Sequence, residues 1–251
     1  MAREPRRVRG WPLKVDLVRV DGARQRVAVL VYEPRRSRDV ALVVGHGYSS
    51  SKHNLDYLCG FLSSHGFAVY SLDFPGHKLG ASGGRLETPQ DLVDVMEAVV
   101  QFAQRRGVGD VLTLGHSMGA MTALRAAAQN GAIAGVISIA TGYGRPTALA
   151  ALQGRGVTDL RSSYVDGLTL AEVVGGLDAT LAAELPELAG RPVLYIAAER
   201  DAMVSISSVR ELFNRGPEPK NFEIIAGDHT SAGENARSTV LHWLNGLYPR
   251  P

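Results

Sequence analysis

The chain has 251 residues, 45% of them hydrophobic and 21% charged, with a formal net charge of +2. That length suits one α/β domain with a large core. The near-neutral charge leaves no electrostatic footprint for nucleic acid, and no apolar run reaches the length that spans a bilayer.

Arginines gather at Arg3, Arg6, Arg7 and Arg9, then at Arg35, Arg36 and Arg38, and read as a solvated terminus and a basic loop. No apolar stretch of the kind found in secretory signals follows the first cluster, so the expected compartment is cytoplasmic. The spans Lys14 to Val20 and Arg26 to Tyr32 alternate as an antiparallel pair about Asp21-Gly22. Strand patterns then run from Val40 to Val44 and from Phe67 to Leu72, with a helix from about Asn54 to Ser64 between them. That helix carries the single cysteine, Cys59, at a core position. A long amphipathic helix is predicted from about Pro89 to Arg106, with Thr88 as its N-cap. Asp110 to Leu114 and Gly135 to Ala140 are the next strands. Pro192 to Ala198 and about Asn221 to Ala226 complete a set of eight, followed by a helix from Ala232 to Leu247. Strands alternating with helices imply a mostly parallel sheet covered on both faces. The exception is residues 143–177, where apolar positions at helical spacing are interrupted by glycines. That stretch reads as a small helical lid inserted into a single domain spanning 1–251.

Between the fifth strand and its helix lies Gly115-His116-Ser117-Met118-Gly119. Strand, G-x-S-x-G and helix in that order make a nucleophile elbow, in which a strained turn lifts the serine hydroxyl clear of the sheet. Neighbouring backbone approaches so closely there that only Gly115 and Gly119 fit. A serine hydroxyl needs a base, and in this architecture the chain order is serine, acid, histidine. Two of the seven histidines follow Ser117 at a suitable distance, His229 and His242. His242 falls inside a helical run. His229 lies in the loop Gly227-Asp228-His229 beyond the last strand, at the edge where α/β sheets collect catalytic groups. The acid that fixes its tautomer is expected just beyond the preceding strand, at Asp201, with Glu199 as competitor and Asp228 too close in sequence. The oxyanion donors are assigned to the backbone N–H groups of Met118 and of Tyr48, in Gly45-His46-Gly47-Tyr48. His46 is read as a shaper of that loop.

With His46-Gly47, Asp73-Phe74-Pro75-Gly76-His77, the elbow, Asp201 and His229 in register, the chain resembles the α/β-hydrolase superfamily from about Lys14 to Leu247. Within it, the chain looks like the serine esterase and monoacylglycerol-lipase-like branch, which includes small carboxylesterases and cinnamoyl esterases. The resemblance implies an eight-stranded sheet, a Ser117–Asp201–His229 triad, no metal and no cofactor. Two departures stand out. Gly76 to Ser82 is two residues longer than the usual motif, which is expected to reshape the pocket rim, and Ala198 replaces a customary glycine. The implied activity is hydrolysis of small-molecule carboxylic esters with short-to-medium or aryl acyl groups through an acyl-enzyme. The lid's apolar residues, with Met118, Met121 and Met203 near them, suggest an uncharged acyl chain. Thioester, amide or peptide cleavage and acyl transfer use the same groups and stay open, as does a binding protein that keeps the fold. Dehalogenases and epoxide hydrolases of this fold use a carboxylate nucleophile, which Ser117 disfavours. No G-x-G-x-x-G or phosphate-binding loop supports a nucleotide ligand. Nothing in the sequence fixes an oligomeric state.

Overall fold

In the computed structural model, eight strands join in one sheet: β1 (Lys14–Asp21), β2 (Arg26–Glu33), β3 (Val40–Gly45), β4 (Ala68–Leu72), β5 (Asp110–His116), β6 (Gly135–Ile139), β7 (Val193–Ala198) and β8 (Lys220–Ile225). Their spatial order is β1-β2-β4-β3-β5-β6-β7-β8. The contacts of β2 with β1 and β4 are antiparallel, and β4 onward is parallel through β3 to β8. The structure describes residues 14–22, 24–144 and 157–250, with backbone alone at 157–159. The arginines at positions 3–9 and residues 145–156 of the expected lid lie outside the described residues.

The helices are α1 (Asp56–Ser64), α2 (Gln90–Arg105), α3 (Met118–Gln129), α4 (Val157–Ser162), α5 (Leu170–Glu184), α6 (Ile206–Arg215), α7 (Ala232–Asn235) and α8 (Arg237–Leu247). They divide the core between two faces of the sheet. Ala41 and Val43 of β3 pack with α2, α3, α5 and α6 on one face. Val40, Leu42 and Val44 pack with α1 and α8 on the other. Successive strand residues point to opposite faces, so a strand buried on both reads as the continuous apolar run Val40-Ala41-Leu42-Val43-Val44. Among the described residues, no helix is long and apolar enough to cross a membrane.

Each strand begins and ends within two residues of its sequence expectation. Three local features differ. Thr88 does not cap α2. The carboxylate of Asp91, inside the first turn, reaches back to accept from the amides of Glu87 (2.9 Å) and Thr88 (2.8 Å). The last helix is broken at Ala236 into α7 and α8. The lid boundary expected at Leu177 falls in the middle of α5. That helix starts at a capping box, where Thr169 Oγ1 accepts from Glu172 N (3.3 Å) and Glu172 accepts from Thr169 N (2.8 Å). The far end of α5 is tied to α3 by a two-pronged Arg125–Glu184 pair, at 2.6 and 2.9 Å.

Beneath the loop after β3, Lys52 Nζ meets Asp73 Oδ2 at 2.6 Å, with the two side chains 3% and 0% exposed. Asp73 also accepts from Lys52 N (2.8 Å) and Ala81 N (2.7 Å). Burial works against its ionisation, but these hydrogen bonds prevail and hold the carboxyl below its ordinary range. Removing one member of such a pair strands the other charge. Lys52→Met is therefore expected to destabilise the fold by about 3–5 kcal/mol in urea unfolding. A loss under about 1 kcal/mol would mean that the two amides satisfy Asp73 unaided.

Candidate active site

Register brings the site together. Gly45 of β3 lies beside Gly115 of β5, which lies beside Ser138 of β6, so the chains leaving β3 and β5 emerge side by side. Ser117 adopts φ 56° and ψ −116°, in the region where L-residues are strained. Its amide donates to Ile139 O at 2.9 Å. A Cβ on Gly115 would sit 2.1 Å from the backbone of Gly119, and one on Gly119 would sit 2.2 Å from Gly45 O. Both obstacles are main chain and cannot swing aside, so glycine is required at both positions.

Ser117 Oγ lies 3.0 Å from Nε2 of His229, whose Nδ1 lies 2.7 Å from Asp201 Oδ2. The second Asp201 oxygen accepts from the amides of Met203 and Val204, both at 2.8 Å. The Asp201 side chain is fully buried and the His229 ring is 12% exposed. Burial opposes the charge on Asp201, yet the bond to His229 and the two amides outweigh it and lower the pKa. The His229 loop is held from behind by His116, whose Nε2–H donates to His229 O at 2.7 Å. That tether joins residues 113 positions apart, and no local sequence pattern announces it.

The competing groups lie elsewhere. Glu199 is exposed, as is His242 on α8. Asp228 Oδ1 accepts from Ser231 N (2.9 Å) and Ser231 Oγ (2.8 Å) and so closes its own turn. Met118 opens α3, where the first amides of a helix have no intrahelical acceptor. Tyr48 lines the same cavity as Ser117, and its hydroxyl donates to Leu168 O at 2.8 Å. The two loops touch: a Cβ on Gly47 would lie 3.5 Å from Ser117 Cβ.

His46 shapes this loop. Its Nδ1–H donates to Gly47 O (2.8 Å) and its Nε2 accepts from Phe74 N (3.0 Å). Burial, with His77 beside it, pushes its pKa down to about 3. His77 donates from Nδ1 to Pro75 O (2.9 Å), and its buried Nε2 has no hydrogen-bond partner among the described residues. Burial takes His77 down to about 4. Both rings are neutral in the folded chain, while the unfolded chain takes up protons near pH 6.5. Their contribution to stability is thus complete above pH 6.5 and is lost as pH falls toward 4, at up to about 1.4 kcal/mol per pH unit for each ring. The fall in urea midpoint over that window should be shallower in His77→Gln than in wild type. Equal slopes would contradict a buried neutral His77.

A cavity of about 420 Å³ opens over Ser117. Its wall combines Ser50, Asn54 and Thr230 with Leu79, Leu170 and Met203. Of the methionines expected near the acyl group, Met203 is there, whereas Met118 and Met121 are fully buried in the core. Val173, Val174, Leu177 and Leu181 of α5 also face that core. Apart from Leu170 at the start of α5, the lid's apolar spacing therefore serves packing, and the cavity is more polar than that spacing suggested. The longer loop Gly76–Ser82 reaches the rim through Leu79 and meets the segment after α4. There Lys78 N donates to Tyr164 O (2.9 Å) and Lys78 pairs with Asp166 (3.1 Å).

Residues 36–178 match the family model Hydrolase_4, described as serine aminopeptidase, S33. No curated protein matches the sequence. Among solved structures, the Pyrococcus furiosus esterase Pf2001 is similar at 19% identity, covering 97% of this chain and 94% of that one, with a TM-score of 0.72. Est1E from Butyrivibrio proteoclasticus, solved with ferulic acid bound, is similar at 17% identity, covering 90% and 99%, with a TM-score of 0.68. E-2-(acetamidomethylene)succinate hydrolase is similar at 20% identity, covering 93% and 99%, with a TM-score of 0.69. At these identities the likeness is one of fold, and the shared fold is the α/β-hydrolase sheet.

Proposed function

The chain belongs to the serine aminopeptidase S33 family of hydrolases, and from that premise we propose that it cleaves carboxylic esters of short-to-medium or aryl acyl groups through an acyl-enzyme on Ser117. The observation that carries the reading is the unbroken run of hydrogen bonds from Ser117 through His229 to Asp201. His229 Nε2 takes the Ser117 proton as Oγ attacks the acyl carbonyl. The backbone N–H groups of Tyr48 and Met118 hold the oxyanion, each worth about 3–4 kcal/mol. The C–O bond then breaks and His229 returns the proton to the departing alcohol. Water, deprotonated by the same histidine, releases the acid and restores Ser117.

Amide cleavage would use the same groups, but an aminopeptidase must also pair with the substrate's α-ammonium. Among the described residues lining the cavity there is no Asp or Glu to do so. The test is a panel of p-nitrophenyl esters, an acyl thioester and aminoacyl p-nitroanilides. Esters should be preferred, with kcat/KM rising from acetyl to butanoyl or octanoyl at up to about 0.8 kcal/mol per methylene and then falling. Preference for an anilide, or a maximum at palmitoyl, would contradict the reading.

A further inference from the structure

We propose that Arg161 anchors a carboxylate on the acyl part of the substrate, so that the site prefers short monoesters of dicarboxylic acids to neutral esters of equal length. The inference rests on the esterase reading above and narrows its substrate class. Arg161 sits on α4, half-buried, and lines the same cavity as Ser117. Among the described residues its guanidinium makes one long contact, from Nη1 to Ser49 Oγ at 3.5 Å. Among the described residues, no carboxylate pairs with it. Three acids whose side chains are described are engaged elsewhere: Asp166 with Lys78 at 3.1 Å, Glu172 with Thr169 N at 2.8 Å, and Asp201 with His229 at 2.7 Å.

A guanidinium presents five N–H donors in a planar fork that matches a carboxylate. Among the described residues nearly the whole fork is uncommitted, in a cavity whose described lining contains no acidic side chain. A partly desolvated cation in such a wall favours an anion over a neutral group. The placement on the acyl side follows from the loop that Arg161 touches. Ser49, which Arg161 contacts, directly follows Tyr48, the residue assigned to the oxyanion, and has a φ of 57°. The hydroxyls of Ser49 and Ser50 share this wall and supply donors for a second carboxylate oxygen. The Asp201 carboxylate, which would repel an anion, is fully buried and has its oxygens engaged by His229 and two backbone amides. A cavity of about 420 Å³ holds a five-carbon diacid without strain.

Two measurements on the full chain test this. Calorimetric titration with glutarate reads the anchor without turnover, and should give binding that weakens about 10–100-fold in Arg161→Gln, the range for a charge-assisted pair. Proton release from ethyl hydrogen glutarate and ethyl pentanoate gives a ratio of two kcat/KM values, in which any unfolded fraction of a variant cancels. That ratio should favour the anionic ester in wild type. It should fall by about the same factor in Arg161→Gln and by less in Arg161→Lys, which keeps the charge but loses the fork. No glutarate binding to wild type, or a ratio unchanged in Arg161→Gln, overturns the proposal. Cleavage of both esters with an unchanged ratio removes the anchor and leaves the esterase reading standing. Arg161-dependent glutarate binding with neither ester cleaved does the reverse.

Discussion

Replacing Ser117 with alanine is expected to lower kcat/KM by about 10⁴–10⁶-fold while leaving the fold intact. The substitution removes one oxygen, 3.0 Å from His229 Nε2, at a residue only 6% exposed. The strain at φ 56° belongs to the backbone and is shared by alanine. The glycines that admit the turn are untouched, so the unfolding midpoint should stay near that of wild type. What remains is substrate binding and the oxyanion donors, which sustain a residual rate of about 10³–10⁴ over water. His229→Ala should approach the same loss, because the base and the nucleophile act as one unit. His242→Ala, on the exposed face of α8, should stay within a few-fold of wild type. A tenth of the activity surviving in Ser117→Ala, in a preparation free of wild-type enzyme, would remove Ser117 from the mechanism.

Asp201→Asn is expected to cost about 10⁴-fold in kcat, and the geometry explains why so small a change matters. One Asp201 oxygen accepts from two backbone amides and the other from the His229 ring. An asparagine has only one oxygen for three donors. With its oxygen toward His229, its NH₂ would face the amides of Met203 and Val204, donor against donor. The favoured arrangement gives the oxygen to the amides and turns NH₂ toward Nδ1. The ring must then carry its proton on Nε2, pointing at Ser117, and it no longer accepts the hydroxyl proton. Glu199→Gln alters an exposed side chain and should leave turnover near wild type. The opposite ranking would mean that the acid comes from the wrong residue of the β7 loop.

Much of this was legible along the chain because it depends on local constraints. The run Val40 to Val44 reads as a strand buried on both faces, and it is one. Gly115 and Gly119 announce the elbow because no side chain fits between the backbones there. The capping box Thr169-x-x-Glu172, which starts α5 and carries it through the expected lid boundary at Leu177, is an equally local signal that the sequence reading left unused. What stayed hidden depends on contacts that only the folded sheet creates. Lys52 meets Asp73 across 21 positions, and His116 meets the carbonyl of His229 across 113. Arg161 reaches Ser49 across 112. The apolar positions of α5 showed that the helix has a buried face. Their spacing did not say whether that face covered substrate or α3, and it covers α3 and the core.

If Ser117 is the nucleophile of a covalent mechanism, it carries the acyl group between two half-reactions. The most direct measurement is reaction of the whole protein with a fluorophosphonate, followed by mass mapping of the adduct. One adduct per chain is expected on the peptide that carries Ser117, none in Ser117→Ala, and much slower labelling in His229→Ala. An adduct on another residue, or none in a preparation that is turning over ester, would contradict a nucleophilic Ser117.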